Sequence, residues 1–159
     1  MSEAKFKTMR HIETVRNFLG HIILKLIERQ VEHDQSKLES PEVEIFEEYT
    51  PKLRNCTYGS DEYKEYLKEM GVALKHHYSV NRHHPEFFKN GMSEMNLIDL
   101  IEMLCDWKAA TLRHKDGDIK KSLDINQERF GYSDELKEIL LRTSFLLDSI
   151  NIIHKAEES

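Results

Sequence analysis

Nine histidines occur among the 159 residues, and most stand beside another histidine or near a carboxylate. His33-Asp34 sets an imidazole nitrogen next to a carboxylate oxygen, His76-His77 and His83-His84 pair two imidazoles, and Asp106 sits in an apolar stretch just before Trp107. Imidazole and carboxylate are the ligand types that suit Mn, Fe, Co, Ni or Zn and, through oxygen, Mg. His11, His33, Asp34, His77, His83, His84 and Asp106 offer seven such groups, enough for two divalent ions. They are separated by 22 residues from His11 to His33 and by 72 from Asp34 to Asp106, so only a folded bundle can bring them together. A single His-Asp dipeptide reads as a surface pair, and a lone His11 on an apolar helix edge reads as a core residue. The ordered combination is what points to a metal.

The elements that must position these groups read as helices throughout. Residues 5 to 29 form an amphipathic helix with Ile12, Val15, Leu19, Ile22 and Leu26 along one face, which the spacing predicts to be core. A polar stretch holds His33 to Lys37, and Ser40-Pro41-Glu42 opens a short helix to about Tyr49. Ser60 caps a helix that places Tyr63, Leu67, Met70, Leu74 and His77 along one side. After a loop that contains Asn81 to Glu86, a strongly apolar helix runs from about Glu94 to His114. On it Asp99, Glu102 and Asp106 fall at i, i+3 and i+7, three carboxylates on one face. Like charges on a buried stripe demand a cation or hydrogen-bond donors opposite them. Asp116-Gly117-Asp118 makes a turn, Ile119 to Phe130 a further helix ended by Gly131, and Ser133 caps a last helix to about His154. Leu123, Phe130, Leu136, Ile139, Leu140, Phe145 and Leu146 read as a core stripe, with Tyr132 packed nearby. The fold class is all-α, a helical bundle with residues 1–159 as one domain.

Composition narrows the function classes. With 39% hydrophobic and 33% charged residues and only 3 Pro and 6 Gly, the chain is neither disordered nor a fibrous repeat. A net charge of -6 leaves no basic field for a nucleic-acid polymer, though it permits a small phosphorylated substrate. Cys56 and Cys105 form no disulfide framework and no metal-binding spacing, and Cys56 has no base beside it, which fits a cytoplasmic setting. No signal sequence and no apolar span long enough for a membrane is visible. His21 and His154 have no ligand-like company.

The order of His11, His33-Asp34, His77, His83-His84 and Asp106 resembles the HD-domain superfamily of metal-dependent phosphohydrolases. Lys37 fits as well, because His-Asp-x-x-Lys is a frequent form of the motif there. His83-His84-Pro85-Glu86 with Asp106 to Ala110 resembles the cyclic-dinucleotide phosphodiesterase branch, although Pro85 interrupts the His-His-Glu and the Gly-Tyr-Pro loop of that branch is absent. The whole chain is also similar to small bacterial and phage proteins of unassigned function that share these segments. The resemblance implies a helical domain whose metal ligands are the seven residues named, with His77, His83 and His84 as the extra ligands of two-metal members. Asp34 would bridge two ions roughly 3.5 to 4 Å apart, and a metal-activated water would attack the phosphorus of a nucleotide or other small phosphate ester. Lys37 and Arg82 are the expected phosphate contacts, Arg82 through its guanidinium fork and Lys37 as a point charge or a proton donor to the leaving group. Lys108 and Arg113 follow Asp106 at helical spacing and would line the same mouth. Two other readings stay open: a two-iron oxygen-activating enzyme of the same superfamily, and a module in which the metal is structural or sensory.

Overall fold

Ser2 caps the first helix, its hydroxyl accepting from the Lys5 amide at 3.3 Å, and α1 then runs unbroken over Glu3–Glu32. In the computed structural model, which describes residues 2–57, 60–113 and 117–148, a 3₁₀ turn at Gln35–Leu38 follows. The helices α2 (Val43–Arg54), α3 (Asp61–Glu69) and α4 (Gly71–Val80) come next. Two further 3₁₀ turns at Pro85–Phe87 and Gly91–Glu94 lead into α5 (Leu97–Thr111), α6 (Ile119–Phe130) and α7 (Asp134–Ser144). The architecture is all-α, with no strand among the described residues. No helix among them is long and apolar enough to cross a membrane.

Local chemistry explains most boundaries. Ser60 and Ser133 cap α3 and α7, accepting from Tyr63 and Leu136 amides at 3.1 and 3.3 Å. Asn96 and Asp99 form a reciprocal capping box at the start of α5. Gly131 ends α6 in the left-handed region, at φ 68°, where a side chain would be strained. Two boundaries differ from the sequence expectation. The helix expected to stop near Tyr49 continues through Pro51 to Arg54, and the one opened by Ser60 breaks at Met70, so that Met70 ends α3 and precedes α4. The start of the expected turn at Asp116, and the part of the last expected helix beyond Asp148 with His154, lie outside the described residues.

The apolar core lies among α5, α6 and α7, where Met103, Leu104, Ile119, Leu123, Tyr132 and Leu140 are buried and Trp107 stacks on Phe130 at 6.2 Å. Ile139, Phe145 and Leu146, expected in that core, are 59%, 56% and 73% exposed. A larger correction concerns α1, which has no buried residue. Its stripe has the expected period, but α5 covers only the C-terminal end, leaving Leu26 and Arg29 half-buried and Ile12 to Ile22 in solvent.

Charge joins α1 to the body. Asp99 is fully buried and accepts from Arg29 at 2.7 Å and from Arg82 at 3.0 and 3.2 Å, so α1 and the segment after α4 are both tied to the first turn of α5. Asp99→Ala would leave two guanidinium groups facing a desolvated wall. We expect it to destabilise the protein by about 3–5 kcal/mol, against under about 1 kcal/mol for Lys7→Ala in an exposed pair. Urea unfolding of the two variants checks the contrast.

Candidate metal centre

The C-terminal end of α1 delivers the central ligand pair. The helix ends as His33 leaves the helical region, and Asp34 turns into the left-handed conformation at φ 57°, ψ 13°. Asp and Asn tolerate that region better than other non-glycine residues, yet the conformation is sparsely populated and is held here by its surroundings. The turn reverses the chain, so Asp34 and Lys37 lie on the same side and Lys37 Nζ reaches Asp34 Oδ2 at 2.6 Å. From α4 comes His77, and the segment behind it supplies His83 and His84. From α5 come Glu102 and Asp106.

The imidazoles share one orientation. Their Nε2 atoms turn inward around Asp34: Asp34 Oδ1 lies 3.3 Å from His77 Nε2 and 3.4 Å from His83 Nε2, and Asp34 Oδ2 lies 3.6 Å from His33 Nε2. His84 Nε2 is 2.9 Å from His77 Nε2, and Asp106 Oδ1 is 4.0 Å from His33 Nε2. The Nδ1 atoms turn outward to buried carboxylates. His33 Nδ1 pairs with Glu102 Oε1 at 3.0 Å and His77 Nδ1 with Glu42 Oε2 at 2.9 Å, while His76 Nδ1 meets the other oxygen of Glu42 at 2.7 Å. His83 Nδ1 approaches Glu102 Oε1 at 3.1 Å but off the hydrogen-bond line. The carboxylates behind His33 and His77 assign the proton to Nδ1 there and leave the Nε2 lone pair to face inward, the arrangement that orients histidines at a metal.

Electrostatics tunes the same groups. Burial pushes the His84 imidazole down to about 2, and His83 and His77 push in the same direction, so it stays neutral with its lone pair available. Burial, then the Lys37 charge, lowers His77 as well. The hydrogen bond that His33 donates to Glu102 raises its pKa against the effect of burial, with Asp34 and Asp106 adding to it. For Asp34, burial would raise the carboxyl, but Lys37 and then His33 and His77 outweigh it and the net shift is down. Burial likewise opposes ionisation of Glu102, yet the hydrogen bond from His33, the His83 imidazole and the Arg29 charge bring it down to about 2.

These residues form a group that could hold a metal ion. Asp34, His77, His83 and His84 make one set of mutually close ligand atoms, and His33 shares a second with Asp34 and Asp106 and a third with His83 and Glu102. Asp34 Oδ1 and His83 Nε2 are buried, face this space and have no hydrogen-bond partner, which is costly for polar atoms without a ligand. The spacing fits: two ligand atoms each roughly 2.0–2.1 Å from one ion stand about 2.8–3.4 Å apart, from octahedral to tetrahedral angles. The observed separations of 2.9, 3.3 and 3.4 Å fall at that value.

Six of the seven residues expected as ligands are therefore brought together, and His11 is not. His11 lies on the same unbroken helix as His33, 22 residues away, a rigid separation of about 33 Å, and its side chain is exposed. Three expected phosphate contacts are also placed elsewhere. Arg82 spends its fork on Asp99 and packs over Phe88 at 4.9 Å, Lys108 bonds Asp148 at 2.6 Å, and Arg113 lies exposed past the end of α5. Lys37 remains at the site. Sequence reasoning missed Glu42, which looks like a helix-opening acid after Pro41, and Arg29. The signal for Arg29 was a cation interrupting the apolar stripe three residues after Leu26 and four before His33.

The profile of DUF5662, described as a family of unknown function, matches residues 1–154. The chain belongs to this family. No curated protein and no solved structure matches the chain. The cluster of this DUF5662 member is therefore read from its own geometry.

Two outcomes check the centre. Removing the outer carboxylate in Glu42→Ala, which deletes no ligand, should weaken Mn or Zn binding by about 10–100-fold in a calorimetric titration. Asp34→Gly should abolish that binding, while the metal-free variant melts at or above metal-free wild type, because glycine adopts the left-handed conformation at no steric cost. A clear loss of melting temperature in metal-free Asp34→Gly would mean that Asp34 is held for folding, not for the ligand.

Proposed function

We propose that the protein is a metal-dependent phosphohydrolase acting on a nucleotide or other small phosphate ester, with two divalent ions held by His33, His77, His83, His84, Asp34 and Asp106. The observation that carries this reading is the inward convergence of four Nε2 atoms and Asp106 on Asp34, whose two oxygens face different histidines: Oδ1 faces His77 and His83, Oδ2 faces His33. A carboxylate whose two oxygens are turned to different histidines is suited to being shared between two ions. When bound, divalent ions lower the pKa of water and offset charge on phosphoryl oxygens.

The chain's own groups supply the remainder. Lys37, bonded to Asp34 and lying 5.2 Å over the Phe46 ring, stands at the edge of a cavity of about 190 Å³. His77, His84 and Arg129 line the same cavity, and Leu67, Met70, Leu74 and Tyr78 give one part of its wall an apolar surface. An ester whose phosphate meets Lys37 beside the histidines could lay an apolar or planar group against that wall. Lys37 then holds negative charge and lies within reach of a leaving oxygen to return a proton. Glu42 and Glu102 keep the imidazoles in one tautomer and orientation throughout.

The likeness to the HD superfamily supports this reading through the order His-Asp, His, His-His and Asp, and departs from it at the first histidine, because His11 lies far from the cluster. The test is elemental analysis and turnover on one preparation. Wild type should retain about two transition-metal ions per chain after desalting and release phosphate or an alcohol from members of a phosphomonoester and phosphodiester panel. Asp34→Ala should lose both properties, Lys37→Ala should keep the metal and lose about 10²–10³-fold in kcat, and His11→Ala should lose neither. Metal-replete protein that turns over no ester sinks the hydrolase reading, and an iron-specific absorbance change under oxygen would favour oxidative chemistry in its place.

A further inference from the structure

We propose that α1 pairs antiparallel with α1 of a second copy of this chain, through the stripe of Ile12, Val15, Leu19 and Ile22. These residues repeat at alternating spacings of three and four, the seam of a coiled coil. The seam continues into Leu26 and Arg29, which lie half-buried against α5, and it is the part before them that nothing among the described residues covers. Val15 is 40% and Leu19 58% exposed, and Phe18 beside them is 69% exposed. A helix standing free over most of its length is marginal in water unless its apolar face is packed.

Area and charge argue for the occupant. Eleven large apolar side chains between Phe6 and Val31 are at least 40% exposed. Six of them, Ile12, Val15, Phe18, Leu19, Ile22 and Ile23, fall on the seam side of the helix and present on the order of 600 Å² per copy, the top of the roughly 300–600 Å² of the largest patch on a typical monomer. Two such faces closed on each other would bury about 1,200 Å², the lower end of the range for a stable interface. The distal half of α1 carries Lys5, Lys7, Arg10 and Arg16 against Glu3 and Glu13, whereas the whole chain is at -6, so the remainder is more acidic still. An antiparallel pair brings each basic tip towards the other copy's body, which carries the chain's net acidity, and a parallel pair would set the basic tips together.

Sedimentation equilibrium of the full-length protein tests the pairing. The expected mass is twice that of the chain. Leu19→Glu with Ile22→Glu should raise the dissociation constant by at least about a hundredfold, while Asn17→Glu, on the opposite side of α1, should leave the dimer intact. Lys5→Glu with Lys7→Glu should weaken it several-fold, and most at low salt. The near-UV signal of Trp107 in the α5–α7 core distinguishes a dissociated, folded chain from an unfolded one. A wild type that stays monomeric at every concentration overturns the proposal. So does a dimer indifferent to Leu19→Glu with Ile22→Glu, or a monomer whose α1 instead binds vesicles of anionic phospholipid.

Discussion

Two buried carboxylates one helical turn apart, Asp99 and Glu102, constrain the rest of the molecule. A desolvated charge costs several kcal/mol unless it is paired and hydrogen-bonded, so each acid on this face of α5 fixes whatever faces it. Asp99 takes Arg29 from α1 and Arg82 from the segment after α4, and Glu102 takes Arg29, His33 and the approach of His83. Rotating α5 by one residue, about 100°, would withdraw both acids from these partners. The apolar core of α5, α6 and α7 therefore sets the helix axis, but the acid stripe sets its rotation and, through it, the position of the C-terminal end of α1.

Compensation weakens along the stripe. Asp99 has two guanidinium partners, Glu102 one guanidinium and imidazoles, and Asp106 only a long approach to His33 Nε2 at 4.0 Å. Around the centre, Asp34, Glu42, Asp99, Glu102 and Asp106 face three permanent cations, Arg29, Arg82 and Lys37. Burial keeps His84 neutral and lowers His77, so these two imidazoles do not make up the difference. The remaining negative charge gathers where Nε2 lone pairs also converge, and a divalent cation is the species that satisfies both at once.

The legible part of this site was the ligand chemistry, because adjacent His-Asp and His-His pairs and an acid in an apolar helix contradict ordinary patterning. The i, i+3, i+7 spacing left two readings of Asp99 and Glu102, solvated or capped acids or acids with donors opposite them. The buried pair faces Arg29 and Arg82, while Asp99 also closes the capping box of α5. What failed was three-dimensional reach. Periodicity places His11 on the same face as Val15 and Ile22, but says nothing of how far along a helix its partners extend, and α1 proves continuous to Glu32. Arg82 beside His83 looked like a phosphate fork, yet successive residues outside a regular helix point apart, and its fork meets Asp99. Glu42 had no signature at all, since its role depends on how α2 and α4 pack. The stripe of α1 was legible as apolar but not as uncovered.

These two properties of α1 belong to different parts of one helix. Its last turns are held by Arg29 on Asp99 and Glu102, interactions that need nothing from the distal turns. His33 and Asp34 follow directly on that anchored end, so the ligand geometry is fixed by charge within a single chain. The distal turns hold only exposed ion pairs and an apolar stripe, and carry no group that reaches the centre. Fraying there would cost helix without moving Asp34, because the left-handed turn at φ 57° and the Lys37 contact both lie beyond the anchor. The long helix thus joins an electrostatically locked end to an apolar one whose packing can vary independently of the chemistry.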